Sequence, residues 1–437
     1  MISADSHGPE IDSKSVSGKG AIPLPKVLRW FWIGSVSAFA LTVLVNYLEY
    51  LAGIPRNVRF PIGEVWFGDL LVFLPTFQHA HTAGLFPGIA FSVAAYPPLA
   101  SGLFALMYSF GHPVVLYLVI FALWLGIAIE GVRRRLIDYG ISRVTAILFP
   151  LTLVAVCFPI EGLVQRGNIE LVVWIFTAAG IWAFLRDRDK TAAVFWGLAA
   201  ATKLHPIILL ALFVAKLRFR AFALGLATFV VASVLSMAYL GPSMREALRT
   251  SMRNVFGYQS VRTSEWSVHE FAANHSAIIP VRFVASVLGG ATGNLVNLYY
   301  LCGGLLFVAL FFSKVRKMPV TNQVLVVTAF MVMLPPISYF YTLVHLYAPL
   351  LMLMFLAIRA ERAGVRIPGL TGTILLFVPI FASFTIFTYP RAFLFGGLFQ
   401  ALMLMSLVLR AIQFPFSNED ATGVEKEKML PEAESGN

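Results

Sequence analysis

Charged residues are scarce in this sequence. Only 13% of its 437 residues are Asp, Glu, Lys or Arg, and 58% are hydrophobic. Soluble domains are about 45–50% apolar and about 25% charged, so this composition excludes an ordinary soluble domain and indicates an integral membrane protein. The apolar runs are long and do not alternate with polar residues, which excludes a transmembrane barrel and predicts helical spans.

Cysteine is also nearly absent. Cys157 and Cys302 each lie inside an apolar run, which excludes a disulfide framework and a cysteine-based metal site. The His-Glu-x-x-His pattern is missing too, and His79 and His81 are two residues apart, so they do not share a helix face. We therefore expect no metal and no other cofactor. A cleavage site is likewise missing after residues 1–26, so we predict a cytoplasmic N-terminal tail and an uncleaved first span.

The basic residues form short clusters between the apolar runs, as expected for loops on the cytoplasmic side. The net charge of +11 is therefore a sign of membrane orientation and not of nucleic-acid binding. These clusters predict an all-α, polytopic protein of about twelve membrane helices with both termini inside. The predicted spans are 27–49, 113–130, 144–160, 169–185, 191–204, 205–217, 220–240, 296–312, 320–338, 343–358, 370–388 and 393–412.

Two places in the chain do not fit a simple series of spans. Segments 191–204 and 205–217 are shorter than the roughly 20 residues of a full crossing. Because Pro206 ends one helix and starts the next, we expect a broken helix pair lining a cavity. Segment 91–111 is long enough to cross, yet a crossing would put Arg133–Arg135 outside. We predict a re-entrant or surface-lying element that opens at Pro97-Pro98.

This layout defines one membrane domain, 27–412, with two outer loops, 50–112 and 241–295, and a disordered cytoplasmic tail, 413–437. Neither an internal repeat nor inverted halves are found, although many transporters have them. Seven of the eight histidines fall on the predicted outer side: His79, His81, His112, His205, His269, His275 and His345. We therefore place polar chemistry at the outer, periplasmic face of the cell inner membrane.

Asp69 is the acidic residue that stands out in the first outer loop. It follows Gly68 in an aromatic-flanked stretch that predicts a helix at the membrane interface. A carboxylate there can act as general base and take a proton from an attacking hydroxyl. The alternative is a helix-capping or solvated acid.

Three basic side chains lie on the same predicted face, against the positive-inside rule. Lys203 and His205 lie at the break between the two short helices, and Arg166 lies in an adjacent outer turn. Such a group can bind an anionic head group, and phosphate is the usual lipid anion. The alternative is snorkelling of long side chains at helix ends. We interpret Glu170 as the ion-pair partner of Arg166, one turn away.

Aromatic and histidine residues follow the double proline that closes span 320–338. Pro335 and Pro336 leave helix carbonyls free, and Tyr341 and His345 are spaced to face one cavity. The alternative is an aromatic belt at the membrane interface.

Five short motifs occur in a fixed order along residues 60–350. They are Gly68-Asp69, Tyr96-Pro97-Pro98, Gly167-Asn168, the stretch from Gly197 to Pro206, and Pro336 to Tyr339. In this order they resemble the polyprenol-phosphate-mannose-dependent mannosyltransferases of glycosyltransferase family 87, among the GT-C membrane glycosyltransferases.

The resemblance implies roles for individual residues. It makes Asp69 the catalytic base and Lys203 a contact to the donor phosphate. We add Arg166 and His205 as donor-phosphate contacts, and we predict that Tyr96, Asn168, Tyr341 and His345 bind the substrate. The chain departs from the family where Tyr341 stands near the usual histidine, which bears on the identity of the sugar.

The prediction is therefore an inverting membrane glycosyltransferase. It moves a sugar, mannose by resemblance, from a polyprenyl phosphate to a lipid-linked or glycan acceptor on the outer face. The partners are the donor, the acceptor and membrane lipids, and none is a nucleic acid. The alternative is a transporter or flippase of a polyprenyl-linked or other anionic lipid that uses the same outer cavity.

Overall fold

The computed structural model describes residues 23–51, 66–72, 96–240, 243–245, 248–249, 252, 274–288, 295–382 and 393–417. Most of the two predicted tails and most of the predicted outer loops, 50–112 and 241–295, lie outside these residues. The expectations for His79, His81 and His269 therefore lie there as well.

The described part of the chain is built from helices and contains no strand, apart from a single bridge between Asn274 and Tyr339. The α-helices are α1 (Lys26–Leu51), α2 (Gly68–Val72), α3 (Pro98–Ser109), α4 (Pro113–Asp138), α5 (Arg143–Val156), α6 (Phe158–Arg166), α7 (Glu170–Phe184), α8 (Asp189–Thr202), α9 (Ala211–Ala215), α10 (Phe219–Leu240), α11 (Ile278–Val287), α12 (Leu295–Ser313), α13 (Val320–Met333), α14 (Tyr347–Arg362), α15 (Leu370–Phe381) and α16 (Phe393–Gln413). Short 3-10 helices cover His205–Leu210, Val315–Lys317 and Phe340–Leu346.

The all-α membrane class is confirmed, but twelve full spans are not. Among the described residues, six helices are long and apolar enough to cross a membrane, or seven if the bent pair α5–α6 is one span. Other predicted spans coincide with shorter apolar helices: Glu170–Phe184, His205–Ala215, Val320–Met333 and Leu370–Phe381. At 1.5 Å per residue, these short helices fall below the roughly 30 Å of a bilayer core.

The two places that did not fit the series of spans are broken or short in the structure. Helix α8 ends at Thr202, the backbone of Lys203 is extended, and a 3-10 helix follows from His205 with Pro206 in its first turn. The break therefore lies at the predicted place. Segment 91–111 contains α3, a helix of 12 residues that begins at Pro98, too short for a full crossing.

Helix α8 packs between α7 and α10 at very short range because small residues line its contacts. A Cβ added to Gly197 would lie 2.5 Å from the backbone oxygen of Gly225, so the two helix backbones nearly touch. The indole of Trp196 fills the space beside Gly180 of α7 and is fully buried. Close approach through small residues is a common way for membrane helices to associate. This packing fixes the position of the C-terminal end of α8, which leads into Lys203.

Residues assigned to the cytoplasmic side contact one another. Arg218 binds Asp189 and lies 2.9 Å from Asp187. That hydrogen bond, with the charge of Lys216, lowers the pKa of the exposed Asp187 carboxyl below its usual value. The backbone N–H of Lys26 donates to Glu361 over 3.1 Å, so the start of α1 meets the end of α14. These contacts agree with the predicted grouping of loops on one side.

Candidate active site

A tight turn at Gly167 organises the site. Helix α6 ends there with a left-handed backbone of φ 61°, a conformation that glycine adopts without steric cost. The missing side chain also allows close packing, because a Cβ on Gly167 would lie 3.1 Å from both Leu70 and Phe67. The backbone N–H of Phe67 donates to the carbonyl of Gln165 over 2.7 Å. Helix α2 is thereby held against the end of α6.

Asp69 of α2 is bound on both carboxylate oxygens. Arg166 lies 2.6 Å from Oδ1, and Nδ2 of Asn168 donates to Oδ2 over 2.6 Å. The Asp69 side chain is 15% exposed, whereas the Arg166 side chain is 48% exposed. The hydroxyl of Tyr108 donates to the carbonyl of Leu70. The carboxylate therefore has a fixed position at the edge of a buried polar cluster.

Asn168 links Asp69 to the buried part of the site. The side chain has no exposed surface. Its Nδ2 donates to Asp69 and, over 3.2 Å, to the hydroxyl of Tyr96. Its Oδ1 accepts from Lys203 Nζ and from the backbone N–H of Glu170, both over 2.9 Å. The Asn168 side-chain amide therefore fixes the distance between Asp69 and Lys203.

Lys203 is held among oxygens and aromatic rings. Its Nζ lies 2.5 Å from Oε2 of Glu170. The same nitrogen lies 5.3 Å from the ring centre of Tyr96 and 5.2 Å from that of Tyr341, within the range of cation–π attraction. Its side chain is only 11% exposed. A snorkelling lysine keeps its charged end in water, and Lys203 does not.

Glu170 is the centre of the buried half of the site. Its Oε1 lies 2.5 Å from Nε2 of His345 and 3.3 Å from Nε2 of His205. The His345 pair is a hydrogen bond, whereas the His205 pair lacks hydrogen-bond geometry. The expected pairing of Glu170 with Arg166 is wrong. Since the turn at Gly167 ends α6 before Glu170 begins α7, the two side chains do not share a helix face.

All eight residues selected from the sequence belong to this one network of contacts. Asp69 and Arg166 form its exposed edge, and Asn168 with Tyr96 forms its middle. Lys203, His205 and His345 surround Glu170, and the ring of Tyr341 lies beside the ammonium of Lys203. Sequence reasoning missed the central position of Glu170, although an acidic residue at the head of an apolar helix is itself a signal of function. It also missed Thr177, whose hydroxyl lies 2.8 Å from Nδ1 of His345.

A second polar cluster closes the end of α13. The carbonyls that the double proline leaves free are occupied: Met333 accepts from Ser276 and Tyr299, both over 3.0 Å. Nδ2 of Asn274 donates to the carbonyl of Pro336 over 2.8 Å. Asn274 has no exposed surface. The Asn274-His275-Ser276 sequence is therefore not an accessible glycosylation site in the folded protein.

The charges of the main cluster balance with the histidines neutral, since Asp69 and Glu170 oppose Arg166 and Lys203. An ionised carboxylate has about four lone-pair sites, so Asp69 can still accept a proton from a ligand hydroxyl. The arrangement joins a partly exposed base to buried cations through one asparagine. It is suited to proton transfer beside a bound anion.

Comparison with known proteins identifies the family. Residues 94–336 match the family model of glycosyltransferase family 87, which is more than half of the chain. No curated protein and no solved structure matches the chain. The matched region contains Tyr96, Arg166, Asn168 and Lys203, and it begins after Asp69. With its apolar helices and this match, the chain belongs to glycosyltransferase family 87 and is a membrane glycosyltransferase.

Proposed function

We propose that the protein transfers a sugar, mannose, from a polyprenyl-phosphate donor to a hydroxyl of a lipid-linked or glycan acceptor at the outer face of the inner membrane. One observation carries the proposal: Asn168 binds Asp69 and Lys203 at the same time. The proposed base for the acceptor and the proposed cation for the donor phosphate are therefore hydrogen-bonded to the same side-chain amide.

Asp69 is the proposed general base. The acceptor hydroxyl gives its proton to Asp69 while its oxygen attacks the anomeric carbon of the sugar. The bond from that carbon to the phosphate oxygen breaks, and the polyprenyl phosphate leaves with the electron pair. Because the lipid phosphate is already a good leaving group, one positioned base is sufficient. General-base catalysis of this kind contributes about 10²–10⁴ in rate.

Lys203 and Arg166 are the proposed contacts to the donor phosphate. Both cations are already paired, Lys203 with Glu170 and Arg166 with Asp69. A bound phosphate would share them with these carboxylates, and charge-assisted bonds of this type are about twice as strong as neutral ones. Arg166 is the more exposed of the two, so it is the side chain that an incoming head group would meet first.

The aromatic residues are the proposed sugar contacts. The rings of Tyr96 and Tyr341 flank the ammonium of Lys203, which places two ring faces beside the proposed phosphate position. Asn168 completes this group. His345 and His205 lie against Glu170. They would therefore contribute to donor binding indirectly, by positioning the Glu170 carboxylate.

Inversion at the anomeric carbon is the proposed stereochemical result. A covalent sugar intermediate requires a second carboxylate about 5–5.5 Å from the acid–base residue, by analogy with retaining glycosidases. Glu170 is the other carboxylate of the described cluster. It has no exposed surface and is bound by Lys203 and His345, so it is not available as a nucleophile.

The transporter alternative is not supported, because the family match assigns the chain to glycosyltransferases. The donor class is tested by incubating membranes that contain the protein with labelled polyprenyl-phosphate sugars or labelled nucleotide sugars. We expect label to move from polyprenyl-phosphate mannose to a lipid or glycan acceptor. Transfer from a nucleotide sugar in membranes that lack polyprenyl phosphate would refute the proposed donor.

A further inference from the structure

Three potential metal ligands converge in the buried half of the site. Glu170, His205 and His345 each offer one ligand atom, and these atoms lie within 4.8 Å of one another. Glu170 and His345 are buried, and the His205 side chain is 12% exposed. Two imidazoles and one carboxylate are a ligand set of catalytic zinc sites, which keep a further position open. We infer that these residues bind a divalent transition-metal ion of the zinc type.

The distances are close to those of such a site. With bonds of about 2.0–2.2 Å, a tetrahedral ion holds its ligand atoms about 3.3 Å apart. Nε2 of His205 lies 3.3 Å from Oε1 of Glu170, and Nε2 of His345 lies 2.5 Å from it. The second pair must move apart by somewhat less than about 1 Å, and the ligand atoms of the two histidines lie within 4.8 Å of each other. A change of this size is within reach of side-chain rotation.

Hydrogen bonding to Thr177 orients the His345 ring. The Thr177 hydroxyl donates to the carbonyl of Trp174 over 3.0 Å and lies 2.8 Å from Nδ1 of His345. With its only proton given to Trp174, Thr177 accepts from Nδ1–H. An ion would replace the proton through which Nε2 is hydrogen-bonded to Oε1 of Glu170. A second hydrogen-bonding residue that fixes the imidazole in this way is typical of metal-binding histidines.

Two further features leave ligand atoms available to an ion. Nε2 of His205 is buried and has no hydrogen-bond partner. Lys203 binds the other oxygen of Glu170, Oε2, which leaves Oε1 as a single-oxygen ligand. If the proposed function holds, the ion would add positive charge beside Lys203, one of the two proposed phosphate contacts.

The sequence did not indicate this site because its ligands lie far apart along the chain. Glu170 begins α7, whereas His205 and His345 lie in two different 3-10 helices. Helix spacing motifs of the His-Glu-x-x-His type detect ligands within one helix. The expectation of no metal rested on those motifs, and the inferred site needs none of them.

Metal binding by the purified full-length protein tests the inference without any donor or acceptor. The protein is stripped with a chelator and titrated with Zn²⁺, and with Co²⁺ as a spectroscopic probe. We expect about one ion per chain and a visible Co²⁺ band of a histidine-ligated site. Absence of stoichiometric binding by the wild-type chain would overturn the inference. Since no sugar transfer is measured, this result is independent of the proposed function.

Variants locate the ion. His205→Gln and His345→Gln should each weaken Zn²⁺ binding by more than about 100-fold, while the exposed His112→Gln should leave it unchanged. Thr177→Val should weaken it by about 10–100-fold, the usual effect of losing a residue that orients a ligand. Thr228→Val is its control, because Thr228 likewise bonds a carbonyl of its own helix. Binding that survives both histidine substitutions would overturn the assignment.

Discussion

At the residue scale, the pair of Lys203 and Glu170 dominates the buried site. Glu170 has no exposed surface, and its Oε2 lies 2.5 Å from Lys203 Nζ. Taking two charges out of water costs several kcal/mol each, and mutual attraction offsets this only while both partners are present. We therefore expect single substitutions in this pair to destabilise the fold and, under the proposed function, to weaken donor binding as well.

Replacing Lys203 alone should destabilise the protein. We expect Lys203→Met to lower the free energy of unfolding by about 3–5 kcal/mol, because it leaves Glu170 buried without its cation. Lys203→Arg keeps the charge and should retain part of the stability. The recovery should be incomplete because the planar, forked guanidinium does not match the site of the compact lysine ammonium. Thermal unfolding of the purified variants in detergent measures the effect.

The double variant Lys203→Met/Glu170→Gln separates charge pairing from packing. It removes both charges and should recover most of the stability lost in the single variant. A double variant as unstable as Lys203→Met would contradict the role of Glu170 as the partner of Lys203. Donor binding should stay weak in the double variant, since the cation is still absent.

Residue types were easier to predict than residue pairs. Lys203 and Arg166 were selected from the sequence because basic residues are disfavoured on the predicted outer side, and Asp69 because it lies in an aromatic-flanked interfacial stretch. Their partners depend on contacts between residues far apart in the chain, such as Asp69 with Asn168. The Glu170 pairing failed because i, i+4 reasoning requires a continuous helix, and the turn at Gly167 interrupts it.

At the element scale, the turn at Gly167 positions α2. Gly167→Ala would force a left-handed backbone on a residue with a Cβ and push against Phe67 and Leu70. We expect a stability loss of about 1–3 kcal/mol and a fall in sugar transfer of about 10²-fold, as for a catalytic group displaced by about 1 Å. Unfolding and transfer measured on the same preparation test this.

Gly131→Ala is the matched control for Gly167→Ala. Gly131 lies inside α4, and a Cβ added there meets nothing within 4 Å. Since alanine favours helix over glycine by about 1 kcal/mol, this variant should be as stable as the wild type or more so, with normal transfer. Normal transfer in Gly167→Ala as well would show that the turn does not set the position of Asp69.

Helix positions followed from the sequence because long apolar runs have few alternatives in a membrane. The break at Lys203 and the start of α3 at Pro98 were also predictable, since proline ends or begins a helix. The lengths of the shorter helices were not. Helix α13 ends at Met333, where side chains of Ser276 and Tyr299 take up its last carbonyl. Such capping from distant segments leaves no periodic pattern.

At the scale of the whole molecule, the orientation in the membrane is the main prediction that remains to be tested. Reporter fusions after Arg135, Lys190, Arg220, Lys317 and Arg366 should all report the cytoplasm, because basic loops stay inside. Fusions near Asp69 and Asn274 should report the outside. A reporter outside at Arg135 with one inside at Lys190 would contradict this layout and make segment 91–111 a true crossing.

The most direct test of the central claim is the effect of Asp69→Asn on purified protein, with donor binding and sugar transfer measured side by side. The variant keeps the size of the side chain and removes the base. Asp138→Asn, an exposed acid at the end of α4, is the control. We predict transfer lowered by about 10²–10⁴-fold, donor affinity little changed, and wild-type behaviour for the control. Wild-type transfer by Asp69→Asn would contradict the account and remove Asp69 from the reaction.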